Sequence, residues 1–200
     1  MSRRLPFAVL ASALALGFVF APSASAESVV GSHDVFDGVD SNAPGQAEVF
    51  QTTAAEDGGI TRLSIYLDES NTAQSVELGL YSHSKALDGP YALTTKCVIS
   101  SDGPLAGGWH SCALNMVPWI AEDREYWVGV LQPADTPGQI RFRDHNGVPD
   151  GTGRTYTSSE EDLTSMPGYQ YGDPPIFEAD SYFQSGNAWD GSGPASIHAD

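Results

Sequence analysis

Period-two alternation of apolar and polar residues constrains this chain more than any other feature. In ITRLSIYLD, Leu63, Ile65 and Leu67 alternate with Arg62, Ser64, Tyr66 and Asp68, the pattern of a half-buried strand. SVELGLYSH repeats it with Val76, Leu78 and Leu80 on one face, and IRFRD turns Ile140 and Phe142 inward with Arg141 and Arg143 outward. EYWVGVLQP is apolar on both faces, as suits a central strand covered on both sides. AEVFQTTA and IFEADSYFQ are further candidate strands. Between them lie DESNTAQ, SKALDGP, SDGPLAGG, PADTPGQ and NGVPDGTG, all rich in residues that favour turns. Helical periodicity is absent beyond the single turn that EEDLTS could make. The expected fold is all-β, an antiparallel β-sandwich of jelly-roll type.

The first 26 residues read as a secretory signal peptide. Arg3 and Arg4 form a basic start, an apolar run reaches Pro22, and Ala24-Ser25-Ala26 offers the small residues that signal peptidase accepts. The Leu-rich run favours general secretion, with the paired arginines leaving twin-arginine export open. The expected location is extracellular or periplasmic, without membrane insertion. A β-sandwich is expected over residues 27–185 and a flexible tail over 186–200.

An exported chain puts its only two cysteines, Cys97 and Cys112, in an oxidising compartment, where such a pair forms a disulfide. TTKCVIS and WHSCALN read as strands, and antiparallel pairing of the two would set the cysteines opposite one another. Closing this loop contributes about 3 kcal/mol in the chain-entropy model. A redox pair would be spaced C-x-x-C, and a zinc site needs more ligands than His110 supplies.

Charge excludes some partners. The leader carries two of the nine Lys and Arg residues, leaving seven against 26 acids, or −19. Nucleic acid needs a basic footprint, and anionic membrane surfaces repel such a chain. Neutral glycans and calcium remain compatible.

The succession SIYLDESNTAQSVELGLYSH, GWHSCALN, EYWVGVLQP, RTYTS and IFEADSYF resembles bacterial secreted jelly-roll β-sandwich modules found beside polysaccharide-acting enzymes and in surface proteins. The resemblance spans roughly residues 46–184 and rests on core and turn residues. It implies a fold and a possible accessory role, and it carries no catalytic motif.

Nucleophile-elbow, H-E-x-x-H, P-loop and dinucleotide motifs are missing. Ser82 and Lys85 match S-x-x-K without its S-D-N and K-T-G companions. The histidines at 33, 83, 110, 145 and 198 are dispersed. Glycosidase chemistry needs two flanking carboxylates. Glu160-Glu161-Asp162 lies in a polar loop, whereas Glu178 and Asp180 share one face of a candidate strand. Asp34, Asp37 and Asp40 could contribute oxygens to a structural calcium site, although the spacing of an EF-hand is absent.

Aromatic residues give the last signal. Trp109 and Trp127 fall within strands and are expected in the core. Trp119, Tyr169, Tyr171 and Trp189 fall at strand ends and in loops beside polar residues such as Asp173, an arrangement suited to stacking a sugar ring. The expected function is a secreted, non-catalytic module that binds carbohydrate or a cell-surface partner. The alternatives are a polysaccharide hydrolase or lyase on the same scaffold, and a calcium-stabilised surface protein.

Overall fold

The computed structural model describes residues 29–85, 89–145, 163 and 195–200, together with the backbone of 154–159 and 189–190. In chain order the strands are β1 (Val30–Gly31), β2 (Gly38–Asp40), β3 (Gln46–Thr53), β4 (Gly58–Gly59), β5 (Arg62–Leu67), β6 (Ser75–Ser84) and β7 (Gly89–Ser100). There follow β8 (Gly108–Ala113), β9 (Trp119–Ile120), β10 (Glu125–Leu131), β11 (Phe142–Asp144), β12 (Arg154–Ser159), β13 (Trp189–Asp190) and β14 (Ile197–Ala199). No helix occurs among the described residues.

All pairings are antiparallel. One six-stranded sheet runs β1-β14-β5-β11-β2, with β8 on the other side of β5. A second runs β13-β12-β3-β10-β6-β7, and β4 and β9 make a separate two-stranded ribbon.

The alternating residues explain how the two large sheets meet. Leu63, Ile65 and Leu67 of β5 and Ile197 and Ala199 of β14 join Phe50, Leu78, Leu80, Val128 and Val130 of the second sheet in one buried cluster. Each fully buried aliphatic side chain contributes roughly 1.5–3 kcal/mol. Phe50 and Phe142 span the two sheets edge to face, with centroids 5.8 Å apart. The unbroken apolar run of β10 is also accounted for. Val128 and Val130 face this core, while Trp127 and Leu131 face a second cluster with Ala47, Val49, Tyr81 and Leu163.

Buried polar side chains tie the loops to this frame. Asn71 donates from Nδ2 to the carbonyl of Leu105 (2.9 Å) and accepts the Arg141 N–H at Oδ1 (3.0 Å). Gln132 accepts the Ile140 N–H (2.7 Å) and donates to the carbonyls of Thr136 and Gly138. Each replaces hydrogen bonds that the irregular backbone would otherwise lose to burial.

Cys97 and Cys112 are disulfide-bonded, with Cα atoms 5.8 Å apart. The expected pairing between their strands does not occur. Cys97 lies on β7, paired with β6, and Cys112 on β8, paired with β5. The bond therefore joins the two large sheets rather than two strands of a hairpin. The intervening loop is drawn inward because Leu105 is buried and its N–H donates to the Ala73 carbonyl (2.9 Å).

Residues 195–200, the last part of the segment expected as a tail, carry β14. Ile197, His198 and Ala199 pair with Ile65, Ser64 and Leu63 on one side, and His198 and Ala199 with Gly31 and Val30 on the other. Ala195, Ile197 and Ala199 supply the apolar contacts that hold the segment in the sheet.

Candidate functional site

Among the described residues, two surfaces and one buried cluster gather aromatic or titratable side chains. The first surface is the β4–β9 ribbon. Ile120 is fully buried and anchors it, so alternation turns the preceding Trp119 outward, where it is 72% exposed. Met116 and Val117, at 66% and 62%, extend the apolar surface. Opposite Trp119 stands Gly59. A Cβ at Gly59 would come within 2.8 Å of Val117 Cγ1, so the missing side chain admits Val117. The Ile60 N–H donates to the Pro118 carbonyl (3.1 Å), and the Glu122 N–H to Asp57 Oδ1 (2.8 Å). An exposed indole therefore stands on a fixed backbone.

The second surface is the outer face of β5, β8 and β14. Because Leu63, Ile65, Ile197 and Ala199 point inward, Ser64, Tyr66 and His198 point the other way. Trp109 of β8 pairs with Tyr66 across the strands, edge to face at 5.5 Å. It is 37% exposed rather than in the core where the sequence had suggested it would lie, because its register places it on the outer face. Its ring stands 4.7 Å from His198, whose ring stands 3.6 Å from that of His33. His33 Nε2 is 3.4 Å from Asp200 Oδ1, and His198 Nε2 is 3.3 Å from Asp200 Oδ2. Burial holds His198 below the ordinary histidine range; Asp200 opposes that shift and His33 adds to it.

Gly31 makes this approach possible. It has φ +91°, and a Cβ there would fall 2.2 Å from the Ile197 carbonyl oxygen. Only glycine lets β1 run so close to β14 in this conformation, and the chain then delivers His33 above His198.

The buried cluster consists of carboxylates. Glu48, 5% exposed on β3, is pushed up to about 8 by burial and then by the Asp40 charge. Asp144, 6% exposed on β11, is pushed up to about 6 by burial, again with Asp40 adding to it. Asn42 donates from Nδ2 to Glu48 Oε2 (3.0 Å), and Asp144 Oδ1 is buried without a hydrogen-bond partner.

Of the residues singled out in the sequence, Asp34 and Asp37 precede β2 and Asp40 ends it, and the charges of Asp37 and Asp40 both act on Asp144. Asp34 and Asp37 are exposed, and Asp40 turns toward Glu48 and Asp144. Among the described residues, the three whose ligand atoms lie within 4.8 Å of one another are His33, His198 and Asp200. Ser82 exchanges hydrogen bonds with the Ala92 backbone, and His83 accepts the Trp127 indole N–H (3.2 Å) beside Glu125. Tyr169, Tyr171, Asp173, Glu178 and Asp180 lie outside the described residues, as do residues 1–28, which include the segment expected to be a signal peptide, and the Trp189 side chain.

The histidine–aspartate set was hidden by sequence separation, His33 and His198 being 165 positions apart. A local signal did exist in ASIHAD, where Ala195, Ile197 and Ala199 alternate as in any half-buried strand. No family model matches the chain, and comparison with curated proteins and with solved structures finds no match.

Proposed function

We propose that this chain is a secreted, non-catalytic binding module of jelly-roll type that holds a neutral glycan against Trp119. The observation that carries the reading is the indole itself, 72% exposed on a ribbon whose other side is locked into the core by Ile120. An exposed aromatic ring costs solvation unless something covers it, and the face of a sugar ring is a suitable cover. A net charge of −17 for the chain disfavours polyanionic ligands and leaves neutral ones. The disulfide, and the lack among the described residues of any helix long and apolar enough to cross a membrane, are compatible with secretion. Two large sheets around one core support the sandwich.

Affinity electrophoresis of the folded protein in gels containing neutral polysaccharides tests the reading. Trp119→Ala is expected to weaken retention about tenfold, the worth of one stacking contact. Its melting temperature should stay within a few degrees of wild type, since the ring is exposed. Retention unchanged by Trp119→Ala, and by Tyr169→Ala with Tyr171→Ala, would sink the proposal.

The hydrolase alternative rests on Glu178 and Asp180, which lie outside the described residues. It requires polysaccharide turnover that Glu178→Gln abolishes.

A further inference from the structure

We propose that His33, His198 and Asp200 form a binding site for a divalent first-row transition metal, with zinc the best-suited ion. The spacing fits. Tetrahedral zinc with bonds of about 2.0–2.1 Å keeps neighbouring donor atoms about 3.3–3.4 Å apart. His33 Nε2 stands 3.4 Å from Asp200 Oδ1 and His198 Nε2 3.3 Å from Asp200 Oδ2, each imidazole against a different carboxylate oxygen. All three ligand atoms fall within 4.8 Å of one another. Two imidazoles and one carboxylate are a donor set for zinc, copper, nickel or iron rather than for calcium or magnesium.

Hydrogen bonding within the cluster leaves polar atoms unsatisfied. Asp200 Oδ1 and His198 Nδ1 are both buried without a well-formed hydrogen bond, Oδ1 standing 3.4 Å from His33 Nε2. A cation held by the two imidazoles and the carboxylate would give that oxygen a partner.

The frame is built before any ion arrives. The Ser32 N–H donates to the Ile197 carbonyl (2.9 Å), fixing the residue next to His33. The Asp200 carbonyl accepts the N–H groups of Thr61 and Arg62, and its own N–H donates to the Arg62 carbonyl (3.2 Å). His198 is held between two strands. Three protein ligands leave a fourth position open, and the 43% exposure of the His33 side chain gives solvent access to the cluster. The ion would clasp β1 to β14, joining segments far apart in the chain.

The test is a zinc titration of the full chain after chelator treatment, followed by calorimetry, and a parallel cobalt titration followed by visible absorption. One ion should bind per chain, with the d–d bands of four- or five-coordinate cobalt. His33→Ala and Asp200→Asn should each weaken zinc binding on the order of 100-fold, and His110→Ala should leave it unchanged. His33 is exposed, so its variant keeps the test sound even where a His198 variant does not fold. Zinc should also raise the melting temperature of wild type but not of His33→Ala. Absence of stoichiometric binding, or binding that persists in both His33→Ala and Asp200→Asn, overturns the site. The readout uses the metal alone, so it is independent of any glycan at Trp119.

Discussion

Replacing Glu48 by Gln should stabilise the protein, and by an amount that grows with pH. Glu48 is raised from 4.5 to about 8, first by burial and then by the charge of Asp40. Between those two values the folded protein keeps the proton while the unfolded chain releases it. Unfolding is therefore favoured as pH rises through that window, by about 1.4 kcal/mol per pH unit. At pH 7 the difference comes to about 3 kcal/mol, and above pH 8 to about 5 kcal/mol. Below pH 4.5 it vanishes, because both states then hold the proton. Gln is neutral in both states, and its amide oxygen can still accept the Asn42 Nδ2–H bond made to Glu48 Oε2. Urea unfolding in chelator at pH 4.5, 6, 7 and 8, followed by the fluorescence of buried Trp127, measures both curves. The expected result is near-equality at pH 4.5 and a gap that opens to several kcal/mol by pH 8. Asp144, raised to about 6, weakens the wild type in the same direction over the lower part of the range and is common to both proteins. A gap that does not change with pH, or a variant less stable than wild type at pH 8, would refute the argument.

Three further outcomes follow from the frame. Cys97→Ser with Cys112→Ser should lower stability by about 3 kcal/mol, measured by denaturant unfolding, because the bond ties together strands of different sheets that share no ladder. Gly31→Ala should cost at least about 2 kcal/mol, since its Cβ would meet the Ile197 carbonyl oxygen in a backbone conformation that favours glycine; calorimetric melting would show it. Asn71→Ala should cost about 1–3 kcal/mol in the same assay, by leaving the Leu105 carbonyl and the Arg141 N–H without their partner.

What the sequence disclosed and what it concealed divide along the range of the interactions involved. Alternation is a local property, so Leu63, Ile65 and Leu67, Val76, Leu78 and Leu80, and the two-sided β10 were all legible before any fold was known. The disulfide was legible from residue type and expected compartment, but its geometry was not. Nothing in residues 97–112 says that β8 will pair with β5 rather than β7, because that choice depends on which edge of β5 the C-terminal strand has taken. That strand was itself obscured by its brevity: three paired residues are too few to stand out from a Gly- and Ser-rich surrounding. Yet β14 decides the chemistry of the outer face. Once Ile197 and Ala199 enter the core, period two forces His198 outward, Gly31 brings β1 against it, and His33 and Asp200 are carried to the same place. The candidate metal ligands are thus a consequence of where two apolar side chains are buried. Dislodging them with a polar residue at Ile197 should dismantle the site without touching a ligand, and a His33→Ala variant should leave β14 in place.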